Sequence, residues 1–99
     1  MNTKRTSLFL MANLGAEVSR IISLKEKHEN ALAKDALSRA RNIIVEIKAL
    51  PDMKTRLQEM NALSGVIENI LEPKPTLPIP TQHIKSYFVP FISRLMIDR

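Results

Sequence analysis

Apolar side chains recur every three or four residues through several long stretches of this 99-residue chain, and that spacing decides what it can fold into. An α-helix turns once in 3.6 residues, so positions i, i+3, i+4 and i+7 line one face that must be buried. In the first stretch Leu8, Met11, Leu14 or Gly15, Val18, Ile21, Ile22 and Lys25 follow this rhythm. They predict a helix over residues 7–28, capped by the hydroxyl of Thr6 or Ser7. Phe9 and Leu10 broaden its apolar surface. Gly15 falls on the inward side and costs about 1 kcal/mol of helix propensity against alanine. Its position suggests close approach of a neighbouring helix.

The end of this helix is poorly marked, because residues 25–30 contain neither proline nor glycine. A single helix over residues 7–50 would be long enough to form an extended coiled-coil dimer. The favoured reading is a break near residues 28–30, with Asn30 capping a second helix over residues 31–49. Its central stripe is Leu32, Ala36, Ala40, Ile43, Ile47 and Leu50, flanked by Ala33, Leu37 and Ile44. Asp35 and Arg39 stand four apart and are expected to pair on its outer side. Pro51 ends it, since proline lacks the backbone donor and disfavours helical geometry in the residue before it.

Asp52 is placed to cap a third helix over residues 53–71, with Met53, Leu57, Met60, Ser64, Ile67 and Leu71 on one face and Leu63 and Ile70 beside them. Gly65 points away from that face. Residues 72–81 read EPKPTLPIPT, and their alternating prolines form a stiff, extended connector in which Leu77 and Ile79 are candidates to pin the crossover. A fourth helix over residues 82–97 presents Ile84, Phe88, Phe91 and Leu95, flanked by Tyr87, Ile92 and Met96. Pro90 is expected to kink or divide it. Three of the four aromatic residues lie here, which makes it the bulky element that closes the core. The expected fold is all-α, a four-helix bundle in one domain spanning residues 1–99, with residues 1–6 as a flexible N-terminus.

The residue inventory narrows function chiefly by exclusion. Without cysteine there is no disulfide, thiolate nucleophile or cysteine-ligated metal, which suits a reducing cytoplasm. Lys4 and Arg5 precede an apolar run over residues 8–12, as in a secretory signal, but Asn13, Glu17 and Arg20 interrupt it and its spacing is helical. No run approaches 18 continuous apolar residues, so no transmembrane segment is expected. His28 and His83 stand in no HExxH motif, and His28 reads as a helix-end residue. There is no nucleophile elbow, phosphate loop or inward Glu-x-x-His pair. The expectation is therefore a protein with no catalytic residues, metal or cofactor.

Fifteen Lys and Arg against ten Asp and Glu leave a formal charge of +5. Lys34, Arg41 and Lys48 repeat every seven residues and return to nearly the same azimuth, giving a candidate anion-contacting ridge about 20 Å long. Tyr87, Phe88 and Phe91 form a candidate interaction cluster. Between positions 73 and 97 there is no acidic residue, while Lys74, Lys85 and Arg94 are basic. Peripheral membrane contact is nevertheless not the expectation, because a fourth bundle helix needs the same apolar face. The leading functional reading is a noncatalytic protein acting through protein–protein contact or self-association, with a homodimer as the form considered first. The alternatives are a nonspecific nucleic-acid-binding accessory protein using the basic ridge and a small helical enzyme built from dispersed residues. In size, charge and helix content the chain resembles bacteriocin immunity proteins, traits that assign no residue a role. The W-x2-LG-x2-Y signature and 34-residue period of TPR repeats are missing.

Overall fold

The computed structural model describes residues 3–72 and 81–97, with side-chain surroundings for 6–72 and 82–94. Helix α1 covers Thr3–Glu26, α2 Asn30–Lys48, α3 Leu57–Ile70 and α4 Thr81–Ile97, with a 3₁₀ segment, Pro51–Arg56, leading into α3. The four helices form a compact all-α bundle with α1 at its centre, packed against α2, α3, α4 and the 3₁₀ segment. Its radius of gyration is 13.5 Å, close to the value of about 13 Å for a globular chain of 100 residues.

Every apolar residue assigned to the inner stripe of α1 is buried: Leu8, Met11, Leu14, Val18, Ile21 and Ile22. The stretch Thr6–Glu26 is long and apolar enough to cross a membrane by length and composition alone. Its stripe is instead the centre of the bundle core, where Leu14, Val18 and Ile21 have no exposed surface. Each such side chain contributes roughly 1.5–3 kcal/mol by leaving water. Helix α1 begins at Thr3, earlier than the hydroxyl caps suggest. Ser7 lies inside it, buried, and donates to Asp52 Oδ2 over 2.9 Å. Thus Ser7 is no cap for α1, and Asp52, inside the 3₁₀ segment, is no cap for α3.

The break between α1 and α2 falls where the polar segment suggests, and His28 makes it. His28 has φ 60°, the left-handed conformation. Its N–H donates to the Lys25 carbonyl over 3.0 Å, and the Glu29 N–H donates to Leu24 over 2.9 Å. These two bonds form a Schellman cap, which satisfies carbonyls at the helix end and turns the chain back. Asn30 is the first residue of α2 rather than its cap; Glu29 precedes the helix without a side-chain cap bond. Lys25 extends its ammonium to the Ile70 carbonyl, tying the end of α1 to the end of α3.

The buried stripe of α2 is rotated from the predicted centre. Ala33, Ala36, Leu37, Ala40, Ile44 and Ile47 are buried, Ile43 and Leu50 are half-buried, and Leu32 is 52% exposed. The cause is that α2 packs against both α1 and α3, which turns the flank carrying Ala33, Leu37 and Ile44 into the core. Arg39 does not form the expected pair with Asp35; it reaches across to Glu17 of α1 over 2.9 Å. Arg20 binds the other carboxylate oxygen of Glu17.

A 3₁₀ turn advances about 120° per residue against about 100° in an α-helix, so the six residues after Leu50 shift the phase of α3. Met53, Met60, Leu63, Ile67 and Ile70 still reach the core, whereas Leu57, predicted inward, is exposed. In α4, Ile84 and Phe88 are buried, Phe91 is half-buried and Ile92 is exposed. The helix continues through Pro90 without being divided. The connector with Leu77 and Ile79, and the side chains of Leu95 and Met96, lie outside the described residues.

Gly15 is the point where α4 meets α1. A Cβ added there would lie 2.8 Å from Phe88 Cβ and 2.9 Å from its Cγ, atoms anchored to the α4 backbone, whereas one added to Gly65 meets nothing within 4 Å. Gly65→Ala should therefore gain about 1 kcal/mol of helix propensity. Gly15→Ala should lower the melting temperature in spite of that gain, because overpacking costs about 1–3 kcal/mol. Thermal melts of the pair check this; equal shifts of the same sign would refute the close approach. His28→Gly should relieve about 1 kcal/mol of left-handed strain and raise the melting temperature by about 4–8 °C. An unchanged or lower melting temperature would count against the Schellman cap.

Candidate interaction surface

All three candidate anion-contacting residues stand on α2. Arg41, in the middle of the ridge, directs its Nε and Nη2 to the two carboxylate oxygens of Glu68 in α3, each over 2.6 Å. The hydrogen bond and charge of Glu68 raise the Arg41 pKa, and the bond from Arg41 lowers that of Glu68. Lys34 is exposed and borders a depression of about 380 Å³ with Lys25, His28, Asn30, Leu71 and Glu72. Lys48 is half-buried at the far end of α2. The central cation of the ridge is thus engaged in joining α2 to α3.

The aromatic cluster is built inward. Phe88 is 2% exposed beneath Gly15, and Tyr87 meets it edge-to-face at 5.1 Å between ring centroids. Phe91 lies 5.6 Å from Tyr87, and the Arg56 guanidinium sits 5.4 Å from the Phe91 ring centroid. Tyr87 donates its hydroxyl to Glu59 Oε1 over 2.8 Å, and Arg56 donates to Glu59 Oε2 over 2.6 Å. Two residues of α4 are thereby fastened to the 3₁₀ segment and α3. Burial and then the bond to Glu59 push the Tyr87 pKa up to about 12. The bond from Arg56 holds the Glu59 carboxyl below its ordinary range against a smaller opposing effect of burial. Beside this cluster, Ser7, Leu8, Asp52, Met53, Arg56, Phe91 and Arg94 line a second depression of about 250 Å³.

His28 and His83 are both exposed, on the α1–α2 turn and on α4. Among the described residues no group of three or more His, Asp and Glu side chains is placed to hold a metal.

A feature that residue spacing alone did not isolate emerges once α1 and α4 are seen side by side. Gly15 meets Phe88, while Ser7 and Leu8 share a depression with Phe91 and Arg94, so the helices run antiparallel. Residues 17–72 carry nine basic and nine acidic side chains and are formally neutral. The whole excess of +5 resides in residues 1–16 and 73–99. Neither the Thr3–Ala16 half of α1 nor α4 contains a carboxylate side chain. On their outer surface Phe9 is 53% exposed, Val89 56% and Ile92 40%. Charge segregation was legible in the sequence, but the packing of α4 against the first half of α1 required the fold.

No protein-family model matches the chain, and no curated protein or solved structure matches it.

Tyr87 is the chain's single tyrosine and there is no tryptophan, so phenolate absorbance reports this site alone. Its titration midpoint should lie near 12 in the folded protein, against about 10 after unfolding. Because the folded pKa is raised, its contribution to stability is full below pH about 10 and is lost as pH climbs towards 12. Glu59→Gln should move the midpoint down part of the way, since burial remains. A folded-state midpoint near the free value would refute the Tyr87–Glu59 bond.

Proposed function

We propose that the protein is a noncatalytic interaction domain that presents the outer face of α1 and α4 to a negatively charged partner. The observation carrying this reading is the segregation of charge: the formally neutral segment over residues 17–72 supplies α2, α3 and the second half of α1, while the first half of α1 and α4, which pack together, carry no carboxylate. A face with cations and no carboxylate attracts acidic partners and speeds their encounter. Exposed Phe9, Val89 and Ile92 add apolar area that the core does not use. A cytoplasmic setting, which a chain without cysteine suits, is part of this reading.

Self-association through this face brings like charge against like, so the homodimer is the less favoured form of the proposal. The nucleic-acid alternative based on Lys34, Arg41 and Lys48 is weakened by the commitment of Arg41 to Glu68. The enzyme alternative lacks support from the placement of His28 and His83, which stand on separate elements, the α1–α2 turn and α4.

Fluorescently labelled polyglutamate at low salt is a direct probe of an acid-binding face. Lys85→Glu should abolish much of the binding, whereas Lys34→Glu with Lys48→Glu should leave most of it. Anisotropy titrations measure both. Equal losses from the two variants, or no effect of Lys85→Glu, would overturn the assignment of the face.

A further inference from the structure

We infer that the partner of the α1–α4 face is an anionic lipid surface, on which the two helices lie flat; this rests on the interaction face proposed above. Along α4, Lys85, Val89 and Ile92 stand at i, i+4 and i+7, one side of the helix. All three are exposed, while Ile84 and Phe88 on the adjoining side enter the core. Along α1, Phe9, Ala12 and Ala16 follow the same rhythm on the side opposite the buried stripe. The two rows flank the α1–α4 contact on the side away from α2 and α3. Phe9, Val89 and Ile92 therefore share an outer surface with Lys85, and neither the first half of α1 nor α4 carries an acidic residue.

This combination discriminates between polyanions. Phosphates of a nucleic acid would satisfy the cations but give Phe9, Val89 and Ile92 no apolar surroundings. A bilayer interface offers both, with anionic headgroups for the cations and the acyl boundary for the apolar side chains. The two described depressions lie elsewhere, one at the α1–α2 turn and one beside the 3₁₀ segment. The core helix α1 need not leave the bundle, because the docking side chains are already outside it.

Co-sedimentation with phosphatidylcholine vesicles containing about a third phosphatidylserine, against phosphatidylcholine alone, tests the inference. Binding is expected to the anionic vesicles only, and to fall at high salt. Lys85→Gln should weaken it about five-fold, the effect of one cation near such a surface. Val89→Ser with Ile92→Ser should weaken it several-fold, and Val45→Ser, an exposed site on α2, should leave it unchanged. Far-ultraviolet circular dichroism checks that these exposed substitutions leave the helices intact. Failure to sediment with anionic vesicles, or sedimentation indifferent to Val89→Ser with Ile92→Ser, would overturn the lipid assignment. If polyglutamate binding were still lost in Lys85→Glu, the interaction face would survive that failure. Loss of both effects would remove the face as well as its partner.

Discussion

Burial of α1 on several sides is the constraint on which the rest of the bundle depends. Met11, Leu14, Val18, Ile21 and Ile22 are within 1% of complete burial, and no single neighbour could cover them all. Helix α2 covers one side, α4 the other, and the 3₁₀ segment with α3 closes the floor between them. Each surrounding helix then needs an apolar stripe on one side only, which is the pattern they carry. The closest approach falls at Gly15, where the missing side chain admits Phe88. The glycine's helix penalty is thus offset by aromatic burial that a larger residue would obstruct.

Polar contacts fix the arrangement that apolar burial leaves loosely specified. Glu17 joins α1 to α2 through Arg39, Glu68 joins α3 to α2 through Arg41, and Asp52 joins the 3₁₀ segment to α1 through Ser7. Glu59 receives both Tyr87 from α4 and Arg56 from the turn that precedes α3. Exposed ion pairs of this kind stabilise little, but they discriminate between relative helix positions that bury similar areas. They also consume charge. Several acidic side chains of the central segment are occupied in this way, while Lys85 and Arg94 on α4 stand in a helix without carboxylates. Charges that build the bundle are thereby divided from charges left over, and the proposed acid-binding face draws on the second kind.

Much of the fold was legible from residue spacing. The inner stripe of α1, the end of α2 at Pro51, the outward Gly65 and the close approach at Gly15 all come from local periodicity and backbone chemistry. Less legible were Leu32 and Leu57, both assigned inward and both exposed. Leu32 is displaced because α2 turns its flank towards α3, and Leu57 because six residues of 3₁₀ geometry alter the helical phase. Likewise Asp35 and Arg39 satisfy an i, i+4 pattern, yet Arg39 finds Glu17 on another helix. Tyr87, Phe88 and Phe91, adjacent on one helical face in the sequence, do touch one another, with Phe88 buried and the other two half-buried.

By itself, then, the sequence determined that the chain would be helical, where most of its helices would turn, and which residues would seek burial. Those properties depend on neighbours within a few positions, so a linear chain displays them. Tertiary structure decided which stripe met which, that Arg41 would be bound to Glu68, and that the carboxylate-free first half of α1 and α4 would pack side by side. Such outcomes arise from competition among distant surfaces for the same central helix. No spacing within one segment encodes the winner.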